Sequence, residues 1–290
     1  MRKLLLQLDS SRLPSVFDRV VAYDAGADEI LSYGGITAAD VRDLIYGCIF
    51  TRGPKDLKNT AVFIGGADMA AGEQLLAAAR KTLFQPFTVS LMLDSNGSNT
   101  TAVAAVAKLL AAAGDVRRQT VVVVAGTGPV GIRAAGLFAA AGAEVVITSR
   151  KREAGDRARD LVRERFGGTV RAVTLAAPSD AAAACEGATV LLNAGPAGVM
   201  LVPRQAWAHR PGLRVVADVN AVPPLGVEGI GPTDDGMTKD GVVCFGALAI
   251  GNLKMKVHKA CIARLFERND LVLDAETIAD VARELMASQR

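Results

Sequence analysis

The residues with the clearest chemical purpose stand between positions 120 and 152. Thr120-Val-Val-Val-Val-Ala125 is an apolar strand pattern that runs directly into Gly126-Thr127-Gly128-Pro129-Val130-Gly131, and Ile132 to Ala141 then reads as a helix. A bare GxGxxG is weak evidence, but between a strand and a helix each glycine has a task. Gly126 permits the tight turn, Gly128 lets the backbone approach a pyrophosphate, and Gly131 lets helix and strand pack closely. The helix amino terminus offers unpaired N–H groups and a partial positive charge to the phosphates. Thr127, Pro129 and Val130 complete the expected cofactor-binding turn.

The next strand, Glu144 to Thr148, ends about 20 residues past the glycines, where enzymes that use NAD place an acidic residue on the ribose. This chain has Ser149-Arg150-Lys151-Arg152 there. A carboxylate would repel a 2′-phosphate, whereas a hydroxyl and cations hold it with charge-assisted hydrogen bonds, each worth about 1.5 to 3 kcal/mol. Ser149, Arg150 and Lys151 therefore point to NADP. The plainer reading, cations solvating a helix start, sets them at the unfavourable end of the helix dipole. Two later strands end in residues suited to the same fold. Thr189 to Asn193 leads into Ala194-Gly195-Pro196-Ala197-Gly198, where a nicotinamide ring could lie on backbone or where the chain simply turns. Val215 to Asn220 carries Asp218 and Asn220 to a strand's carboxyl end, where open α/β sheets keep their ligands.

Strand-like and helix-like segments alternate from the amino terminus: Lys3 to Leu8, Ser15 to Ala25, Glu29 to Tyr33, Ala38 to Tyr46, Ala61 to Gly65, Met69 to Leu83 and Phe87 to Leu93. Such alternation predicts a parallel sheet wrapped by helices. The polar run Asp94 to Thr101 interrupts it, and Ala102 to Ala113 reads as an alanine-rich helix bridging two domains. A second series opens at Thr120 and closes near Val242 to Ile250. Lys254 to Glu267 and Ala275 to Ala287 read as helices that return to the first domain. The expected fold is α/β: residues 1–101 with 252–290 as a substrate domain, residues 102–251 as a Rossmann-type NADP-binding domain, and a cleft between them.

Composition narrows the function classes. The 290 residues suffice for two domains of ordinary size, and half are hydrophobic while 22% are charged. No uninterrupted apolar stretch reaches the roughly 18 residues of a membrane helix. The amino terminus meets Asp9 before any small-residue cleavage site and reads as a strand, not a signal peptide. Cys48, Cys185, Cys244 and Cys261 form no CxxC pair, which suits a reducing cytoplasm, and His209 and His258 lie in no HExxH spacing, so no metal is expected. A net charge of +3, concentrated at Arg150 to Arg159, suggests one anionic ligand and no nucleic-acid groove.

Taken together, these residues resemble the NADP-dependent methylene-tetrahydromethanopterin dehydrogenases of methylotrophic bacteria, some of which also accept methylene-tetrahydrofolate. The resemblance is carried by Pro14-Ser15-Val16-Phe17-Asp18, Tyr23-Asp24 with Gly26-Ala27-Asp28, Thr51-Arg52-Gly53, Gly65-Gly66, Asp68 to Glu73, Met92 to Thr101, Ala125 to Gly131, Pro223 to Gly226, and Phe245 to Leu248 with Leu253-Lys254 and Lys256. It implies a homotrimer of two-domain subunits, a pterin between the domains, and a lysine near the pterin that corresponds to Lys256. Ser15, Asp18, Asp24, Asp94, Asn96, Asn99 and Thr101 are the expected substrate-binding residues. Each has a plainer role as a cap or turn residue; Asp94 before Ser95-Asn96-Gly97 fits ordinary turn chemistry. The bifunctional folate dehydrogenase/cyclohydrolases place a lysine four residues after a tyrosine, but here Tyr23, Tyr33 and Tyr46 are followed at that distance by Ala27, Thr37 and Phe50. A dehydrogenase without cyclohydrolase activity is expected. Its rivals are a shikimate-type NADP dehydrogenase and a non-catalytic NADP-sensing module.

Overall fold

The computed structural model describes residues 1–288; Gln289 and Arg290, the end of the expected substrate domain, lie outside the described residues. The elements run β1 (Leu4–Asp9), α1 (Val16–Asp24), β2 (Glu29–Tyr33), α2 (Val41–Ile49), β3 (Thr60–Gly65), α3 (Met69–Thr82), β4 (Ser90–Leu93) and α4 (Ser98–Ala113). They continue with β5 (Thr120–Val124), α5 (Pro129–Ala140), β6 (Glu144–Ser149), α6 (Arg152–Phe166), β7 (Thr169–Thr174), α7 (Ala181–Ala184) and β8 (Ala188–Asn193). The last are β9 (Val215–Asp218), β10 (Asp235–Lys239), β11 (Val242–Phe245), α8 (Ala247–Arg264), β12 (Val272–Leu273) and α9 (Ala275–Ala287). Met1–Thr100 with Met255 onward forms one compact unit and Thr101–Lys254 the other. The divisions fall inside α4 and α8, between 100 and 101 and between 254 and 255, where the sequence suggests 101/102 and 251/252.

The first unit holds a parallel five-stranded sheet in the order β12-β4-β3-β1-β2. Its inner strands β1, β3 and β4 are buried on both faces, so they read as largely apolar runs rather than alternating ones, whereas the edge strand β2 exposes Leu31 and Tyr33. Leu6, Leu8, Val62, Ile64, Leu91 and Leu93 pack on Val41, Ile45 and Ile49 of α2 and on Leu75 and Leu76 of α3. Alternation along a strand sends Gln7, Asp9, Phe63, Ser90 and Met92 to the opposite face. There His258 of α8 stacks on Phe63, with ring centroids 5.6 Å apart and planes 20° from parallel. Helix starts are set by side chains that accept first-turn N–H groups: Ser15 for α1, Asp68 for α3 and Asp274 for α9.

The second unit is a seven-stranded sheet in the order β10-β11-β9-β8-β5-β6-β7, parallel except for the antiparallel edge strand β10. From β5 the chain winds outward through β6 and β7, then returns to build β8, β9 and β11 on the other side. That reversal is the topological switch at which doubly wound sheets bind ligands. Val122, Val124, Leu191, Val216 and the fully buried Trp207 form its core, and the indole N–H of Trp207 donates to the Glu228 carbonyl at 2.9 Å.

Several boundaries differ from the sequence reading. The polar run after β4 does not delay the helix to Ala102: Ser95–Gly97 is a single tight turn and α4 starts at Ser98. The Asp94 carboxylate replaces the missing intrahelical partners there, accepting the Thr100 N–H at 3.0 Å and its hydroxyl at 2.6 Å. Helix α5 begins at Pro129, not Ile132, since proline's fixed φ and absent N–H suit a first helical position. Val242 to Ile250 divides into β11 and the start of α8, and the edge strands β7 and β10 fall outside the segments singled out above.

A Cβ on Gly131 would lie 2.7 Å from the Gly126 Cα, a contact no rotamer change can relieve. Gly131→Ala should therefore destabilise the protein by about 1–3 kcal/mol, the usual cost of overpacking. Gly47→Ala, mid-helix in α2 with open space around its Cα, should stabilise it by about 0.5–1 kcal/mol. Calorimetric melting of both variants checks the pair; a Gly131→Ala protein as stable as its parent would contradict the packing described here.

Candidate functional site

Two carboxyl edges, one per sheet, carry the polar residues. In the second unit β5 turns sharply at Ala125, whose φ is 53°. The Ala125 and Gly126 N–H groups are held by the Thr148 hydroxyl and carbonyl of β6, each at 3.0 Å. Gly126 admits no Cβ, because one would come within 2.8 Å of Ile147. Gly128 is different: nothing lies nearer its would-be Cβ than the Ala125 carbonyl at 4.0 Å. As the amino cap of α5 it brings no side chain to the first-turn N–H groups. Backbone donors at a helix start, facing space that only glycine leaves open, fit a pyrophosphate. Thr127, Pro129 and Val130 are half-buried in the same turn.

Ser149 ends β6 and is buried, its hydroxyl accepting the Lys151 N–H at 3.3 Å. Arg150 and Lys151 follow, both exposed. Beside them is a cavity of about 350 Å³ lined by Ser149, Lys151, Arg152, Arg159 and Thr174, among others. Asp156 anchors Arg159 at 2.7 Å and Arg152 at 3.8 Å. Arg159 and Thr174 extend the basic pocket beyond the residues the sequence singled out. Arg159 lies two helical turns beyond Arg152, where charge clustering alone hints at it. Ala194 and Gly195 lie against β5, the Ala194 N–H donating to the Val124 carbonyl at 3.0 Å. Asn220 is buried, accepting the Val222 N–H at 2.9 Å and donating to the Pro224 carbonyl at 3.2 Å.

In the first unit three strand ends interlock. Asp9, at the end of β1, accepts the N–H groups of Ser11 and Ser15 at 2.8 and 3.0 Å. Ser11 in turn accepts the Ala67 N–H beyond β3 at 3.0 Å. After β4, the Ser95 hydroxyl donates to the Gly65 carbonyl at 2.9 Å and the Asn96 N–H to the Gly66 carbonyl at 2.6 Å. Gly72 of α3 lets this turn dock, since a Cβ there would meet the Ser95 hydroxyl at 2.1 Å. Ser15, Asp18, Asp94 and Asn96 are thereby gathered at one edge, with Asn96 exposed in a left-handed conformation (φ 56°).

Other expected substrate residues are placed elsewhere. Asp24 sits at the far end of α1, paired with Lys259 at 2.8 Å. Asn99 is fully buried, its amide donating to the Leu93 carbonyl at 2.6 Å and to Asp274 at 3.1 Å. Thr101 is half-buried on α4, the first residue of the second unit. Lys256 is exposed on α8, whereas Lys254 is half-buried and lies one helical turn before the buried His258. Residues four apart share a helix face and residues two apart do not, so Lys254, not Lys256, lies on the side of α8 that carries His258. The sequence assigns no site role to Asp9, Gly72, Lys254 or His258, although Lys254 stands in the stretch that carries the resemblance and is spaced one helical turn from His258.

A family profile described as "Methylene-tetrahydromethanopterin dehydrogenase, N-terminal" matches residues 16–96. The bifunctional protein MdtA of Methylorubrum extorquens is 50% identical over 285 residues, 98% of this chain and 99% of that protein. The NAD(P)-dependent methylenetetrahydromethanopterin dehydrogenase of the same organism is 33% identical over 293 residues, again 98% and 99% of the two chains. Among solved structures, shikimate 5-dehydrogenase from Listeria monocytogenes, in complex with shikimate and NAD, matches with a TM-score of 0.55 over 98% of this chain and 96% of that one. At 13% identity that likeness is one of fold, and it does not support the shikimate-type alternative. With relatives at 50% and 33% identity along nearly its whole length, the chain belongs to the methylene-tetrahydromethanopterin dehydrogenase family.

Proposed function

We propose that the protein catalyses reversible hydride transfer from methylene-tetrahydromethanopterin, and from methylene-tetrahydrofolate as a second carrier, to NADP. The observation that carries this reading is the second unit's carboxyl edge: an open, glycine-lined helix start with Ser149, Arg150 and Lys151 at the end of the next strand, where a dinucleotide's ribose would lie, in a chain of the methylene-tetrahydromethanopterin dehydrogenase family. The reading also includes a homotrimeric assembly and a cytoplasmic setting.

Bound NADP supplies the hydride acceptor. A methylene carbon held between two nitrogens loses hydride to become a methenyl cation that both nitrogens stabilise, so no proton is abstracted and the chain needs no general base. Its residues bind and align. Gly126, Gly128 and Gly131 present the α5 N–H groups to the pyrophosphate. Ser149, Arg150 and Lys151 hold the 2′-phosphate, with Arg152 and Arg159 adding positive charge at the adjoining cavity. In the first unit Ser15, Asp18 and Asn96 are the candidates to face the pterin, since a carboxylate accepts its amino and ring N–H donors. Asp94 acts through Thr100 and the turn it holds. Alignment of this kind supplies several kcal/mol of the barrier, up to about 7–11 in ideal intramolecular cases.

A lysine of α8 completes the proposal. A fixed ammonium close to the developing cation would raise the barrier, so the lysine orients the pterin through a hydrogen bond. Resemblance assigns this task to Lys256, and half-burial recommends Lys254.

Steady-state kinetics with both methylene carriers crossed against NAD and NADP tests the function directly: NADP reduction by the tetrahydromethanopterin carrier is expected, and no turnover with either carrier would overturn it. Arg150→Ala should lower kcat/KM for NADP by about 10- to 100-fold, the loss of one charge-assisted hydrogen bond, while leaving NAD nearly unaffected. Equal loss for both cofactors would remove Arg150 from the phosphate site. Lys256→Ala should reduce kcat at least tenfold with little change in NADP affinity; if Lys254→Ala does so instead, the role belongs to Lys254.

A further inference from the structure

We infer that Asp218 is a positioning residue for the nicotinamide half of the bound dinucleotide, acting through Asn193 and the loops after β8 and β9. The inference rests on the proposal that the second unit binds NADP, and goes beyond it by assigning a residue that touches neither phosphate nor ribose in that reading.

Asn193 and Asp218 are the last residues of neighbouring parallel strands and pair in register across β8 and β9. Both are buried, at 0% and 1% exposure. A buried carboxylate persists only when its lone pairs are matched by donors, and Asp218 has three in the structure. Its Oδ1 accepts the Asn193 amide at 2.8 Å and the Asn220 N–H at 3.0 Å, and its Oδ2 accepts the Val227 N–H at 3.0 Å. The Asn193 side chain is fixed in orientation by this bond, and its Oδ1 accepts the Gly195 N–H at 3.2 Å. One carboxylate therefore ties together the turn at Ala194-Gly195, the turn at Asn220 and the returning segment at Val227.

The fit leaves no slack. A Cβ on Gly226 would come within 1.8 Å of the Asn193 amide nitrogen and 2.9 Å of Asp218 Oδ1. The turn so held lies against β5, through the Ala194 N–H bonded to the Val124 carbonyl, on the opposite side of the topological switch from Ser149 and Arg150. A dinucleotide whose pyrophosphate lies at Gly128 and whose adenosine ribose lies at Ser149 extends its other half toward the β8 side of the switch. The Asp218 network sets the backbone on which that half would rest. Asparagine at position 218 would put an NH₂ where an N–H donor now points, so at least one of the three bonds is lost and the turn shifts.

The test is Asp218→Asn in the full-length protein, comparing kcat with NADP and with NAD, the calorimetric Kd for NADP, and the melting temperature. The expected result is a fall in kcat on the order of 10- to 100-fold with both cofactors by a similar factor, since a shift of about 1 Å at a reacting centre costs that much. The NADP Kd should change less than about threefold, because the phosphate contacts lie elsewhere. A folded Asp218→Asn variant with unchanged kcat, a loss confined to NADP, or a raised Kd at constant kcat would each overturn the inference. Should Asp218→Asn not fold, Asn193→Ala decides by the same criteria, as it leaves both backbone bonds to Asp218 in place. Failure of the parent protein to bind NADP would instead overturn the dinucleotide reading itself.

Discussion

Both units depend on buried carboxylates placed where parallel strands end. A parallel sheet sends every βα connection to one edge, and the backbone N–H groups of those connections have left the ladder without yet joining a helix. Asp9, Asp94 and Asp218 each stand at the end of a strand or directly after it, each about 1% exposed, and each accepts N–H groups from the segment that follows. An acceptor-only group that receives two or three such bonds is satisfied in the interior and rigidifies its loop. The polar strand-end edges are shaped by these acids, which do not themselves lie on the surface.

This constraint separates two kinds of polar residue that look alike in sequence. Asp94 and Asn99 belong to a conspicuous polar run, yet Asp94 accepts from Thr100, and Asn99 donates to the Leu93 carbonyl and to Asp274, within the first unit's own framework. Asn96, from the same run, is exposed in a left-handed conformation stabilised by its N–H bond to Gly66. Within the run, then, Asp94, Ser95, Ser98, Asn99 and Thr100 are buried in the tight turn and helix start that join β4 to α4, while Asn96 faces outward.

The dinucleotide turn was legible because its mechanism is local. Strand, glycines, proline and helix follow one another within a dozen residues, and the cations at 150–152 sit at a fixed distance from them. What stayed hidden depends on partners far apart in the chain. Nothing near Asp9 announces that its carboxylate will hold Ser15, and nothing in α3 announces that Gly72 must make room for Ser95, 23 positions on. The start of α4 was misplaced because serine and asparagine favour turns by local hydrogen bonding, while here the carboxylate of Asp94 turns the same residues into a helix start. The α8 lysines were ambiguous because a motif fixes spacing along the chain but not the helix phase, which His258 on Phe63 sets.

The thiols bear on which chemistry the protein can perform. All four cysteines are buried, and burial pushes Cys48 up to about 12 and Cys185 and Cys244 to about 11, with Cys261 also raised. A thiolate is the reactive form of cysteine, and burial favours the neutral thiol at each of these positions. Hydride transfer from a carbon flanked by two nitrogens asks for neither a nucleophile nor a proton acceptor, only for two molecules held in register. Buried acids that fix loops, as Asp9, Asp94 and Asp218 do, supply the rigidity such alignment asks for.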